Sequence, residues 1–491
     1  MIVIAAAYTL CLIGLTLYGL HSLLMVFLYL RHRTDACPRP ANLVEWPLVT
    51  VQLPIYNERH TVARLLEAVG KLDYPHDRLE IQVLDDSSDC TKQLAEQAVV
   101  RLQRQGICAT HLWRAERTGF KAGALAAGTA KARGDLVAIF DADFVPEPDF
   151  LRRVVPHLAD ARVGCVQARW GHLNRRYSVL TEAQALAVDG HFVVEQTARS
   201  RSGLFISFNG TAGVWRKACI TDSGGWAADT LTEDLDLSYR AQMAGWRFVY
   251  LPDVLVPGEL PAQVSAFKAQ QGRWAEGSIQ TARKLLPVLV RASLPWAVKA
   301  EGIFHLCSYL LHPLLLGLVI LTLGAPRGLP VPQFLTWACL VASAGPPLLY
   351  AVAQKAQGGG WACRLRTIAL LACLGVGLAV SNSWAVIRAL SGAHDSFRRT
   401  PKFALPEGTR PSKRDPYLTT LDGLTWAELA LAMLGLVSVV LPGPHSGDTP
   451  WRLLYSSGFA YVAGTAIVQA VQHEPRSAER LPMTDDQQGV D

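Results

Sequence analysis

Two carboxylates two residues apart, in Asp141-Ala142-Asp143, offer the hard oxygen ligands that Mg²⁺ or Mn²⁺ takes when substrate phosphates complete its shell. A solvated turn explains a lone D-x-D equally well. Position favours the metal here, because the pair follows Val137-Ala-Ile-Phe140, an apolar run that reads as a buried strand. Asp85 and Asp86 close a similar run, Ile81-Gln-Val-Leu84, where acids accept from a nucleobase or ribose. Lys121, in Gly119-Phe-Lys-Ala-Gly-Ala-Leu125, sits where a backbone can approach a ligand and an ammonium can meet a phosphate. An exposed lysine at a helix N-terminus fits that segment as well. Asp234 follows Leu231-Thr232-Glu233 and precedes a run at helical spacing, so it lies at or near a helix start, as a general base toward an acceptor hydroxyl. Glu233 or Asp236 taken singly is an ordinary first-turn acid favoured by the helix dipole. Arg273 suits bidentate pairing with a diphosphate and Trp274 stacking on a sugar ring, after Gln270 and Gln271. Arg and Trp also anchor amphipathic helices beside membranes.

Strands and crossover helices must hold these groups. Val49 to Leu53, Glu80 to Leu84 and Leu136 to Phe140 read as strands, and Glu58 to Leu72 and Thr91 to Gln105 as helices. Such alternation predicts a parallel sheet with crossover helices, an α/β (Rossmann-like) domain over residues 48–280. Ligands of open α/β sheets bind beyond the carboxyl ends of the strands. Pro54-Ile-Tyr56-Asn57-Glu58, Asp85-Asp86 and Asp141-Ala-Asp143 all fall there, so one nucleotide-sized crevice collects them. No G-x-x-x-x-G-K-[ST] loop is present, nor a G-x-G-x-x-G after a strand, so the Lys121 segment is not a Walker A loop and a dinucleotide oxidoreductase loses most of its support.

Half of the 491 residues are hydrophobic and 18% are charged, a balance that leans toward a membrane protein. A net charge of +6 is too mild to indicate nucleic acid and compatible with loops beside anionic lipid. The ten cysteines form no C-x-x-C pair and no zinc spacing, and read as apolar fillers in a reducing compartment. Ile2 to Leu30 is almost wholly apolar and is followed by Arg31-His32-Arg33. A signal peptide carries its charge in front, so residues 1–30 read as an uncleaved transmembrane anchor whose far end faces the cytosol. Residues 281–300 mix apolar residues with Lys284, Arg291 and Lys299, as a helix in the membrane interface would. Further spans are expected at Ile303 to Leu323, Phe334 to Ala353, Thr367 to Ile387, Leu424 to Leu441 and Leu453 to Val471, within a membrane region 301–472. The basic loop 388–418 should be cytosolic, which three full spans before it would forbid. Thr367 to Ile387, made polar by Ser381-Asn382-Ser383, is therefore expected to be interfacial or re-entrant. The polar tail 473–491 is expected to be disordered.

The ordered set Asp85-Asp86, Asp141-Ala-Asp143, Thr232-Glu-Asp234 and Gln270-Gln-Gly-Arg-Trp274 resembles the D, D-x-D, T/E-D and Q-x-x-R-W pattern of membrane-integrated family 2 glycosyltransferases. Val51 to Glu58, Phe208-Asn-Gly-Thr-Ala-Gly213 and Arg399-Thr-Pro-Lys402 extend the likeness, which is strongest to the mannan/glucomannan and cellulose synthase-like branch. The resemblance implies a cytosolic GT-A domain between N- and C-terminal transmembrane helices, and inverting hexosyl transfer from UDP-glucose or GDP-mannose to a growing β-linked polysaccharide. By the same carry-over, Tyr56, Asn57, Glu58, Asp85, Asp86, Lys121, Asp141, Gln270 and Arg273 bind the nucleotide sugar. Asp141 and Asp143 hold Mg²⁺ or Mn²⁺. Glu233 and Asp234 form the catalytic motif with Asp234 as base, and Phe208, Asn209, Gly210 and Trp274 face the acceptor. Single-sugar transfer to a membrane lipid, as in ceramide glucosyltransferases, is the nearer rival; a non-catalytic membrane scaffold is the remoter one. No cyclic-dinucleotide R-x-x-x-R domain follows the last span, so regulation of that kind is not expected. With few C-terminal helices, a polymer channel would be completed by a secretion partner or a homo-oligomer.

Overall fold

The computed structural model describes residues 2–35, 40, 42–324, 332–358, 360–392, 400, 402–404, 421–440 and 449–472. Most of the expected loop 388–418 and the whole tail 473–491 lie outside these residues. Seven strands form one sheet: β1 Val49–Ile55, β2 Leu79–Asp85, β3 Cys108–Trp113, β4 Leu136–Ile139, β5 Val163–His172, β6 Gly213–Arg216 and β7 Arg247–Gly258, in the order β3-β2-β1-β4-β6-β5-β7. The first four pair in parallel, joined by the crossover helices Val62–Gly70, Thr91–Arg104 and Phe120–Lys131. The wholly parallel sheet expected from the sequence needs one correction. β6 runs antiparallel to both β4 and β5, and a four-residue strand after Phe208–Gly213 carries too little pattern to reveal its direction.

Both faces of the sheet are covered, so its strands are continuous apolar runs rather than alternating ones. Leu136, Ala138 and Phe140 pack into the core on one face with Val51, Leu65 and Phe150. Val137 and Ile139 pack on the other, with Trp215 and the Ala122, Ala124 and Leu125 of the Phe120–Lys131 helix. The two-residue period of a strand therefore sends Asp141 to the face where that helix brings Lys121. The registers Ile55↔Asp85 and Gln52↔Ile139 align the carboxyl ends of β1, β2 and β4, so their acids share one edge. Pro54 lies past the last β1–β4 pair, where its missing N–H costs no ladder bond.

Among the described residues, four helices are long and apolar enough to cross a membrane: Ile2–His32, Gln333–Ala356, Gly423–Val440 and Thr449–Val471. Two bent pairs add to them, Trp296–Leu306 with Ser308–Gly324 at 53° and Arg366–Gly377 with Ala379–Ser391 at 44°. The segment Thr367 to Ile387 thus straddles a bend. Its Asn382 is fully buried and its amide donates to His312 Nε2 at 2.9 Å, which places this polar half inside the helix bundle. Residues 281–300 do not form one helix; they are divided between Val264–Arg291 and Trp296–Leu306. The Val264–Arg291 helix carries Gln270 to Trp274 and is tied to the membrane helices by Glu276–Arg388 at 2.7 Å and Lys268–Glu428 at 2.9 Å.

Candidate active site

Asp141 leaves the end of β4 with its backbone N–H donating to Thr211 Oγ1 at 2.9 Å, and its Oδ1 meets Lys121 Nζ at 2.6 Å. Lys121 also donates to Gly210 O at 2.9 Å and lies 3.9 Å from Glu233. Asp143 Oδ2 accepts from Lys402 Nζ at 2.6 Å, and the same ammonium donates to the backbone of Glu259 at 2.7 Å. Two ammonium groups therefore stand against the two carboxylates of the D-x-D, as cations do at a hard-oxygen site. Among the described residues no three His, Cys, Asp or Glu side chains converge as a protein-only metal cage. Two carboxylates with the rest of the shell left to phosphate and water suit Mg²⁺ or Mn²⁺, so Asp141 and Asp143 fit the ion.

Glu233 and Asp234 open the helix Glu233–Met243. Burial pushes the Asp234 carboxyl up to about 7, with the charge of Glu233 adding to it. Glu233 and Asp141 are also raised, chiefly by burial. Gly210 faces this base with φ +80°, and a Cβ there would stand 2.9 Å from Asp234 Oδ2 and 3.2 Å from Lys121 Nζ. Only glycine fits between the base and the lysine. Arg273 Nη1 reaches Thr400 Oγ1 at 3.4 Å, which ties the Gln-x-x-Arg-Trp helix to the segment of Lys402.

These groups line one cavity of about 1340 Å³ that runs from the carboxyl edge of the sheet to the membrane helices. Tyr56, Glu58, Asp86, Lys121, Asp141, Asp143, Phe208, Asn209, Gly210, Glu233, Asp234, Gln270, Arg273 and Trp274 all reach its wall. Two expected nucleotide ligands are not among its lining residues. Asp85 is fully buried, with Oδ2 2.8 Å from His111 Nε2, and ties the end of β2 to β3. Asn57 spends its Oδ1 on Ser88 N at 2.9 Å, closing the β1 loop onto the β2 loop. Asp86 reaches the wall already clamped by Arg114, Nε to Oδ1 at 2.7 Å and Nη2 to Oδ2 at 2.6 Å. Phe208 is fully buried and packs edge-on against Trp215.

Three contributors escaped the sequence reading. Arg117 lies 3.5 Å over the Tyr56 ring and lines the same cavity. Arg114 holds Asp86. Lys402 lay in the quoted Arg399-Thr-Pro-Lys402 segment, but only the fold brings it to an aspartate 259 residues away.

Residues 47–277 match the sequence family described as "Glycosyltransferase like family 2". Those residues are a family 2 glycosyltransferase domain. Glucomannan 4-beta-mannosyltransferase 2 of Arabidopsis thaliana is 45% identical over 251 residues, covering 50% of this chain and 47% of that protein. Glucomannan 4-beta-mannosyltransferase 1 of Oryza sativa subsp. japonica is 42% identical over 269 residues, covering 53% and 52%. The chain spans about half the length of the curated relatives it matches. Among solved structures, the Pyrobaculum calidifontis mannosyltransferase PcManGT in complex with GDP-Man and Mn²⁺ is similar at a TM-score of 0.53 and 24% identity, covering 79% of this chain and 100% of that one. The glycosyltransferase domain has the GT-A fold that the family 2 resemblance implied, with helices fit to span a membrane on both sides of it in sequence.

Proposed function

We propose that the chain is a membrane-bound inverting hexosyltransferase that takes mannose from GDP-mannose and extends a β-linked polysaccharide, with UDP-glucose as the second donor to test. The names of the Arabidopsis and rice relatives and the GDP-Man of the Pyrobaculum enzyme support that donor. The carrying observation is the meeting of Asp234, Lys121, Asp141 and Arg273 on one cavity wall that continues into membrane helices.

In this reading Asp234 takes the proton of the acceptor hydroxyl as that oxygen bonds to the anomeric carbon. The bond from that carbon to the diphosphate breaks on the opposite face, and the configuration inverts. Lys121 and Arg273 receive the charge that grows on the diphosphate. Asp141 and Asp143 would hold Mg²⁺ or Mn²⁺, which supplies positive charge beside the phosphates when bound. Lys402, now paired with Asp143, would give up that pairing to a bound ion. The basic run Arg31-His-Arg33 supports a cytosolic catalytic domain and a bacterial inner or plasma membrane.

A second reading rests on the cavity's far end, where Leu315, Leu318, Leu340 and Leu349 make an aliphatic wall. That wall favours transfer of one sugar to a lipid. Protein in lipid nanodiscs, given radiolabelled GDP-mannose or UDP-glucose with Mn²⁺, Mg²⁺ or chelator, separates the two. Metal-dependent label in insoluble polymer is expected, from GDP-mannose above UDP-glucose. Label confined to organic-extractable lipid would replace the polysaccharide reading, and label in neither would overturn both.

A further inference from the structure

Beyond Asn209 the cavity wall is built by an unusual stretch of backbone. Gly190–Gln196 is a π-helical turn between the helices Val179–Asp189 and Thr197–Arg201. In an α-helix of 3.6 residues per turn, His191 and Gln196 would point about 140° apart. Hydrogen bonding from i to i+5 brings them to one side, and such turns recur at functional sites. Here both grip the same residue: Gln196 Nε2 donates to Asn209 Oδ1 at 2.8 Å, and Asn209 Nδ2 meets His191 Nε2 at 3.1 Å.

This pattern fixes the protons. With Oδ1 of Asn209 accepting from Gln196, its amide must donate to His191 Nε2, so the imidazole carries its hydrogen on Nδ1. That hydrogen points at Glu195 Oε2, 3.0 Å away. A second amide hydrogen of Asn209 and lone pairs of Glu195 are left over. His191 and Glu195 keep 26% and 27% of their side chains exposed, and both line the cavity, as does Asn209. Asn209 is joined to Gly210, the residue that abuts Asp234.

We propose that His191 and Glu195, carried by this turn, form with Asn209 a hydrogen-bonding station for hydroxyls of the acceptor's terminal sugar, and so position that sugar before Asp234. The proposal rests on the hexosyltransferase reading above. Local charge selects the ligand. Arg199 is one cation shared between two carboxylates, 3.3 Å from Glu195 and 2.6 Å from Glu301. At this station two carboxylates share that one cation, so a lipid phosphate would meet excess negative charge, whereas neutral hydroxyls both donate to carboxylates and accept from amides. Aromatic side chains of Phe304, Tyr309 and Trp274 lie along the same cavity, the kind of surface that packs against a sugar ring.

The test uses the full chain in nanodiscs with GDP-mannose and a soluble β-linked manno-oligosaccharide as acceptor. His191→Ala and Glu195→Gln should each raise the acceptor KM at least about tenfold, the loss of one or two hydrogen bonds, with GDP affinity within about twofold of wild type. His191→Gln, which keeps a polar end group, should lie closer to wild type. A fall in kcat at unchanged acceptor KM would overturn the station and leave these residues a purely structural role, as would unaltered kinetics in both variants. Wild-type protein that binds GDP but transfers mannose to no acceptor would instead overturn the hexosyltransferase reading, and the station with it.

Discussion

At Asp234, burial and the neighbouring Glu233 push the carboxyl up to about 7, which brings its proton affinity into the range useful for a base at neutral pH. A base must be ionised to work, so transfer should rise with pH through about 7 and fall away below it, as a kcat/KM profile would record. Glu233→Gln removes the repelling charge, and the acid limb of that profile should move to lower pH. The same shift acts on stability with a definite sign. Between the ordinary aspartate value of 3.8 and about 7 the folded chain holds a proton that the unfolded chain has released. The group's contribution is fully present below that window and is lost as pH rises through it. Asp234→Asn should leave GDP binding intact while lowering kcat by about 10²–10⁴-fold, the usual worth of a positioned base. A variant that transfers at the wild-type rate would remove Asp234 from the role.

Elements place these residues, and here the sequence was uneven in what it revealed. The strands before Asp85 and Asp141 were legible because buried β-branched runs end abruptly in acids. The antiparallel β6 was not, and neither was the π-helical turn, whose Gly-His-Phe-Val-Val-Glu-Gln reads as ordinary helix. The burial of Asp85 against His111 was not legible either, because that partner comes from the next strand, a pairing that only the β2–β3 register creates. Gly210 belongs to the same scale, since the turn before β6 sets its left-handed φ. Gly210→Ala should cost about 1–3 kcal/mol of stability from that backbone alone. Its methyl would also crowd Asp234, so the transfer rate should fall at least about tenfold, more than thermal unfolding of the variant explains. On the Val264–Arg291 helix, Lys268 is 4% exposed and reaches the fully buried Glu428. Removing one partner strands a buried charge, so Lys268→Met should lower stability by about 3–5 kcal/mol. Lys268→Met combined with Glu428→Leu should recover most of it, as unfolding in detergent would show.

For the whole molecule, the arrangement joins a GT-A domain to helices fit to span a bilayer through buried ion pairs, with one cavity common to both parts. The proposed orientation puts the exposed Cys90 and Cys108 on the cytosolic side. A membrane-impermeant maleimide should label them in inside-out vesicles and spare them in right-side-out ones, and the labelling of inside-out vesicles should fall when both are changed to Ser. The reverse pattern would turn the protein over. The central claim is a single displacement with Asp234 as its base, and the anomeric configuration of the product tests it most directly. NMR of the linkage formed from GDP-α-mannose should show the β configuration in wild-type product, and far less new linkage in the same time with Asp234→Asn. An α-linkage would contradict the account, because a single displacement on the α-linked donor inverts the anomeric carbon.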